Sequence, residues 1–254
     1  MDAFHHNHLR TVGAERFISR PVDFKGECLL LKQDLESALE FAFQMAFGKI
    51  GEHRVHRSGG NHLRKNGEIF SNTLQGKLAE MYFYRLLREK IEIKYPSLSL
   101  DPLGTWDDGD FLVNEKLIAV KSTKHFGNLL LLERNDWDQD GRYIPSIKSE
   151  AGSYSAFVLV RISPDFDRIM RSKRLLYESN LQRKLLENIL EELQWIFDIP
   201  GWIGINDLKS IIKSGEYLKQ GQLLNGRTKM DADNYYVQAG DLRKISTLIE
   251  RLSP

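Results

Sequence analysis

The stretch Trp106-Asp107-Asp108-Gly109-Asp110-Phe111-Leu112-Val113-Asn114-Glu115-Lys116-Leu117-Ile118-Ala119-Val120-Lys121-Ser122-Thr123 decides how the chain is read. It predicts two short apolar strands, 110–113 and 117–122, joined by a polar turn at Asn114-Glu115-Lys116. The turn lacks Gly, so its type stays open. Side chains alternate along a strand, which sets Leu117, Ala119 and Lys121 on one face and Ile118 and Val120 on the other. A two-residue loop at Glu115-Lys116 pairs Asn114 with Leu117 and carries Asp110 opposite Lys121. A carboxylate and an ammonium then meet at the strand ends beside small Ala119. As a plain cross-strand ion pair on a wet surface they would contribute well under ~1 kcal/mol.

Residues 71–123 resemble the PD-(D/E)XK nuclease superfamily, the fold of most type II restriction endonucleases. Asp110 matches the Asp that begins the second strand of the family's hairpin, and Lys121 matches the Lys of its Asp/Glu-x-Lys strand. Glu80, in Gln75-Gly76-Lys77-Leu78-Ala79-Glu80, matches an acid on the preceding helix. Ala119 stands where the family has an acid. The resemblance implies an α/β fold with a central mixed β-sheet flanked by helices. It further implies Mg²⁺-dependent hydrolysis of phosphodiester bonds in double-stranded DNA, by a cytoplasmic homodimer on a symmetric site. Asp110 would be the central metal ligand and Glu80 an accessory one. Lys121 would orient water or stabilise charge on the phosphorane.

Without a ligand atom at 119 the site lacks an anionic anchor. Either Ala119 is an engineered substitution that stops cleavage, or the protein is naturally inactive or draws its second acid from elsewhere, with Asp108, Glu115 and Glu133 as candidates. Two further functions stay open: an effector nuclease of a bacterial defence system controlled by a partner protein, and a catalytically dead DNA-binding module on the nuclease scaffold.

The whole chain is compatible with these readings. Its 254 residues can bury a full core, and 41% hydrophobic with 28% charged residues is ordinary for a globular protein. No apolar run approaches the ~18 residues that cross a bilayer, so no membrane partner is expected. Residues 1–8 lack the apolar core of a signal peptide. One cysteine, Cys28, excludes an intrachain disulfide framework, fits a reducing cytoplasm and is expected as buried filler. The net charge of +1 does not compel a nucleic-acid partner, but local basic patches decide phosphate binding.

Three such patches stand out. Residues 52–67 form a basic, glycine-containing loop with Arg54, Arg57, His62, Arg64 and Lys65, whose histidines lack the company that zinc requires. Arg168, Arg171, Lys173 and Arg174 make a second cluster, and Arg227 with Lys229 a third. Lys124 follows the hairpin directly. All are candidate DNA contacts, against the plainer reading of solvated charge.

Periodicity predicts a helix from Gln33 to about Gly48, and one announced by Asn72 that ends near Lys90, in which Gly76 allows close approach of the sheet. A strand is predicted at 129–132 and a central strand at 156–162. A helix follows from about Ser179, ended by Pro200-Gly201. A short helix capped by Asn206, a strand at 234–239 and a closing helix to Leu252 complete the chain. One domain, 1–254, is expected: residues 1–32 an arm or irregular start, 33–163 the catalytic core, 164–254 a helical and strand extension.

Overall fold

A hairpin leads the described chain, β1 (Arg10–Val12) and β2 (Glu15–Phe17). The computed structural model describes residues 4–48, 64–98, 111–144 and 153–253. After the hairpin come α1 (Lys32–Phe47), α2 (Asn66–Leu87), β3 (Phe111–Val113), β4 (Lys116–Lys124) and β5 (Leu129–Glu133). Then follow β6 (Tyr154–Ser163), α3 (Phe166–Ser172), α4 (Arg183–Glu191), β7 (Ile196–Gly204) and α5 (Ile205–Ser214). The pair β8 (Leu223–Leu224) and β9 (Thr228–Lys229), then β10 (Asn234–Gln238) and α6 (Ile245–Leu252), close a mixed α/β fold. Among the described residues no helix is long and apolar enough to cross a membrane.

The central sheet runs β3-β4-β6-β7, with β4 and β6 parallel and the other neighbours antiparallel. Strand β6 is apolar on both sides, which is why it lies inside the sheet. Ala156, Val158, Val160 and Ile162 face a core shared with α1, α2, α3, α4 and α6. Phe157 and Leu159 face a second core formed with Leu130 and Leu132 of β5, Tyr235 and Val237 of β10, and Leu208 and Ile211 of α5. Each buried Val, Leu, Ile or Phe among them contributes roughly 1.5–3 kcal/mol of transfer free energy. Ile118 belongs to the first core and Ala119 to the second, as the predicted alternation requires.

Several expectations need correction. The hairpin turns on Asn114 and Glu115, both with positive φ (46° and 62°), and not on Glu115-Lys116. Leu117 therefore pairs with Leu112 rather than Asn114. The left-handed pair matches the twist of the flanking strands. It is tied down from outside: Asn114 Nδ2 donates to Leu252 O at 2.7 Å and Lys116 Nζ to Arg251 O at 2.7 Å, two carbonyls in the last turn of α6. The expected irregular start contains β1 and β2, which join β8 and β9 in a four-stranded sheet. Helix α2 begins at Asn66, well before Asn72, where Glu68 accepts the Lys65 N–H at 2.9 Å. Gly76 permits no close approach, since a Cβ there would meet nothing within 4 Å. Helix α4 starts at Arg183 rather than Ser179, and Gly204, not Asn206, precedes α5 as its cap. Cys28 is exposed.

Pro200-Gly201 does not end a unit but lies inside β7. The ladder to β6 shifts between Leu159–Gly201 and Arg161–Asp198, and Pro200 falls in that irregularity on the last strand of the sheet, where its missing N–H costs little. Gly201 is needed because a Cβ would stand 2.2 Å from the Arg243 carbonyl, in the segment bridged to Trp202.

Two buried carboxylates pin the helices and the N-terminal segment. Asp34, with no exposed surface, accepts two bonds from Arg85 at 2.8 Å, one from Tyr95 Oη at 2.9 Å and one from the Leu31 N–H at 2.8 Å. Burial alone would raise its carboxyl, but these donors hold it below its ordinary value. Arg161, also without exposed surface, grips Asp198 at 2.8 and 2.5 Å and donates to the carbonyls of Val22 and Asp23 at 2.7 and 2.9 Å. The segment at 22–23 is thereby strapped to the sheet.

Candidate functional site

Strand β4 outruns its hairpin partner. β3 covers it only from Lys116 to Ile118, while β6 pairs with it from Leu117 to Lys124. Beyond Ile118 the other edge of β4 has no strand partner among the described residues. A cleft of about 800 Å³ opens there. Val120 through Lys124 form its floor, Asn72 and Gln75 of α2 and Asp167 of α3 line it from one side of the sheet, and Leu131 to Glu133 of β5 with Thr228 and Lys229 of β9 line it from the other. Gln75 Nε2 donates to Ser122 Oγ at 3.1 Å, joining α2 to the floor.

The two lysines of the floor differ in kind. Lys124 sits 2.9 Å from Asp165 and 2.8 Å from Asp167. Burial alone would lower the Lys124 ammonium, but the two carboxylates hold it above its usual value. Asp167 is the mirror case: burial would raise it, and Lys124, Ser71 and Arg171 hold it below. Lys121, half-buried, makes no hydrogen bond or ion pair among the described residues. Its charge faces the cleft uncommitted.

The rim adds exposed cations. Arg168, Arg171, Lys173 and Arg174 are exposed on and just after α3, the helix that gives Asp167 to the cleft. Arg227 and Lys229 are exposed on the β8–β9 hairpin, which contributes from the other side of the sheet. Of these cations Lys229 itself lines the cleft; the others sit on segments that lend it Asp167 and Thr228. Arg64 is half-buried and Lys65 exposed at the start of α2. Arg54, Arg57 and His62 lie outside the described residues.

The described residues include three of the four expected catalytic positions. Lys121 lines the cleft, and Asp110 lies outside the described residues. Ala119, 1% exposed, does not reach the cleft; it packs in the core with Leu130, Leu132 and Phe157. Glu80, on α2, does not line it either. Its Oε2 lies 2.6 Å from Lys77 Nζ, which also donates to the Ser97 carbonyl at 2.9 Å and sits 4.6 Å over the Phe41 ring. Glu80 is therefore engaged by its own helix, on the face of the sheet opposite to that of Lys121. The helical stripe sets it beside the buried side of α2 but does not say which neighbour it meets.

Sequence reasoning missed Asn72, Thr228 and Phe126 as lining residues. Only Phe126 carried a signal, in the Phe126-Gly127-Asn128 turn between two strands. Among the described residues no three His, Cys, Asp or Glu side chains converge to hold a cation, and the magnesium expectation rests on Asp110. What the described cleft offers is one ammonium without a partner among the described residues, a hydroxyl and amide floor, and a mixed lining in which Lys121, Lys124 and Lys229 stand with Glu133, Asp136, Asp167 and Asp231. No family model, curated protein or solved structure matches the chain.

Proposed function

We propose that this protein is a Mg²⁺-dependent endonuclease acting on double-stranded DNA, built on a restriction-endonuclease-like scaffold, with the cleft along β4 as its phosphodiester site. The carrying observation is Lys121: an ammonium without an acceptor among the described residues, lining a concave site along the stretch of β4 that has β6 as its one strand partner among them. The order α2, β3, β4 and then parallel β6 agrees with the resemblance.

Among the described residues no three side chains form a magnesium cage; Asp110, outside them, would hold the ion, and magnesium would activate water and offset phosphate charge. Arg168, Lys173 and Arg174 on one flank and Arg227 and Lys229 on the other draw in the phosphate backbone. Lys121 then lies beside a phosphate on the floor and stabilises negative charge as it grows on the phosphorane oxygens. A carboxylate-bound lysine such as Lys124 could not serve, because its charge is already neutralised. A homodimer in the cytoplasm would present two such clefts to the two strands.

A DNA-binding module without cleavage is the second reading, and Ala119 favours it. Ala119 is 1% exposed in a cluster with Leu130, Leu132 and Phe157, and an alanine has no ligand atom to give a metal. The two readings separate on plasmid cleavage with Mg²⁺ by the protein and by Lys121→Ala. Cleavage that disappears in the variant supports the endonuclease; DNA binding without cleavage by the unaltered protein supports the module.

A further inference from the structure

Phe126 is 62% exposed, and its ring lines the cleft that holds Lys121. Single exposed apolar side chains are common on protein surfaces. This one differs in its mounting. The His125 N–H donates to Ile162 O at 2.8 Å and the Gly127 N–H to Lys124 O at 2.7 Å, fixing the backbone on either side of the ring. Asn128, which ends the turn, is held three ways. Its Oδ1 accepts from the Val22 N–H at 2.8 Å and from Arg161 Nη1 at 3.3 Å, and its carbonyl accepts from the Ala239 N–H at 2.9 Å. The Phe126 and His125 rings form a T-shaped pair at 5.1 Å, and His125 forms another with Phe24 at 5.8 Å. A hydrogen-bonded turn thus holds an exposed aromatic side chain at the cleft that also contains Lys121 and Lys229.

We infer that Phe126 is a stacking platform for an unpaired base, so that the cleft prefers DNA with unpaired nucleotides over a regular duplex. This rests on the nucleic-acid reading above and specifies its substrate. In a duplex both faces of every base are covered by neighbouring pairs. An unpaired base exposes a π face, and stacking on an aromatic ring tolerates any base. Because the turn is already ordered, binding loses little conformational entropy at the ring. The phosphates flanking the stacked base fall to Lys121 and Lys229 in the same cleft. Phe126 acts here as a specificity residue and touches no reacting atom.

The test is fluorescence anisotropy, without divalent metal so that nothing is cut, on three labelled DNAs: a duplex, the same duplex with a short unpaired bulge, and a single strand. The protein is compared with Phe126→Ala and Phe126→Trp, with thermal unfolding as the check on folding. The expected result is tighter binding of the bulged and single-stranded DNAs. Phe126→Ala should lose about tenfold on those two and nothing on the duplex, and Phe126→Trp should keep the preference. Equal affinity of the unaltered protein for all three, or a preference that survives Phe126→Ala, overturns the inference and leaves the proposed function standing. Binding of none of the three overturns both.

Discussion

Lys121 and Lys124 both lie on β4 and differ in their partners: Lys124 is closed by Asp165 and Asp167, whereas Lys121 meets no acceptor among the described residues. One is a structural cation and the other an available one. Lys124→Ala should lower stability by about 1–3 kcal/mol, because it leaves two partly buried carboxylates facing each other. Lys121→Ala should change stability by less than about 0.5 kcal/mol. Urea unfolding of both variants checks this. An equal drop in both would show that Lys121 has a structural partner after all.

The cationic rim predicts steep salt dependence of DNA binding. Neutralising Arg168, Lys173 and Arg174, or separately Arg227 and Lys229, should flatten the slope of log affinity against log salt. The expected change is about one unit for every phosphate that the variant no longer neutralises. Titrations at several salt concentrations measure it. A cluster whose removal leaves affinity and slope unchanged does not touch the backbone.

Ala119 stands at the family's acid position and is 1% exposed in an apolar core. Ala119→Glu should therefore cost about 3 kcal/mol or more, since the carboxylate leaves water for an apolar cluster. Thermal unfolding reads the cost. A variant as stable as the parent that gains metal-dependent cleavage would instead show that position 119 is a ligand site.

Acid should destabilise the fold through Asp34 and Asp167, whose folded carboxyls are held below their ordinary values. A depressed folded pKa gives stability that is fully present above the unfolded pKa, about 3.9. That stability is lost as pH falls through the lower, folded value. Melting temperature should stay level from neutrality to about pH 4 as far as these groups are concerned, then fall. Asp34→Asn should melt lower at pH 7 and show a shallower fall below about pH 4. An acid limb that is the same in the variant would show that Asp34 does not set it.

What can be read from the sequence follows how local its cause is. The β6 run is legible because both of its faces are apolar, and α1 because its stripe is continuous. β7 is hidden by Pro200-Gly201, a terminator that becomes tolerable only at the margin of a sheet whose order the sequence does not state. The hairpin register depends on Glu115 adopting φ 62°, a choice fixed by contacts with the end of α6, far along the chain. Alternation places Ala119 and Lys121 on one face correctly, yet burial separates them: Lys121 lies past the cover of the second core, and Ala119 lies under it. Glu80 is paired with Lys77, one turn away, a partner that the helical stripe does not single out.

The most direct test of Lys121 as the phosphodiester-site cation is cleavage of supercoiled plasmid with Mg²⁺, run side by side for the protein, Lys121→Ala and Lys124→Ala. The unaltered protein should give nicked or linear DNA. Lys121→Ala should fall by about 100-fold or more with DNA affinity nearly kept, and Lys124→Ala should keep substantial activity in whatever fraction of it is folded. Cleavage by Lys121→Ala at the rate of the unaltered protein would contradict this role for Lys121.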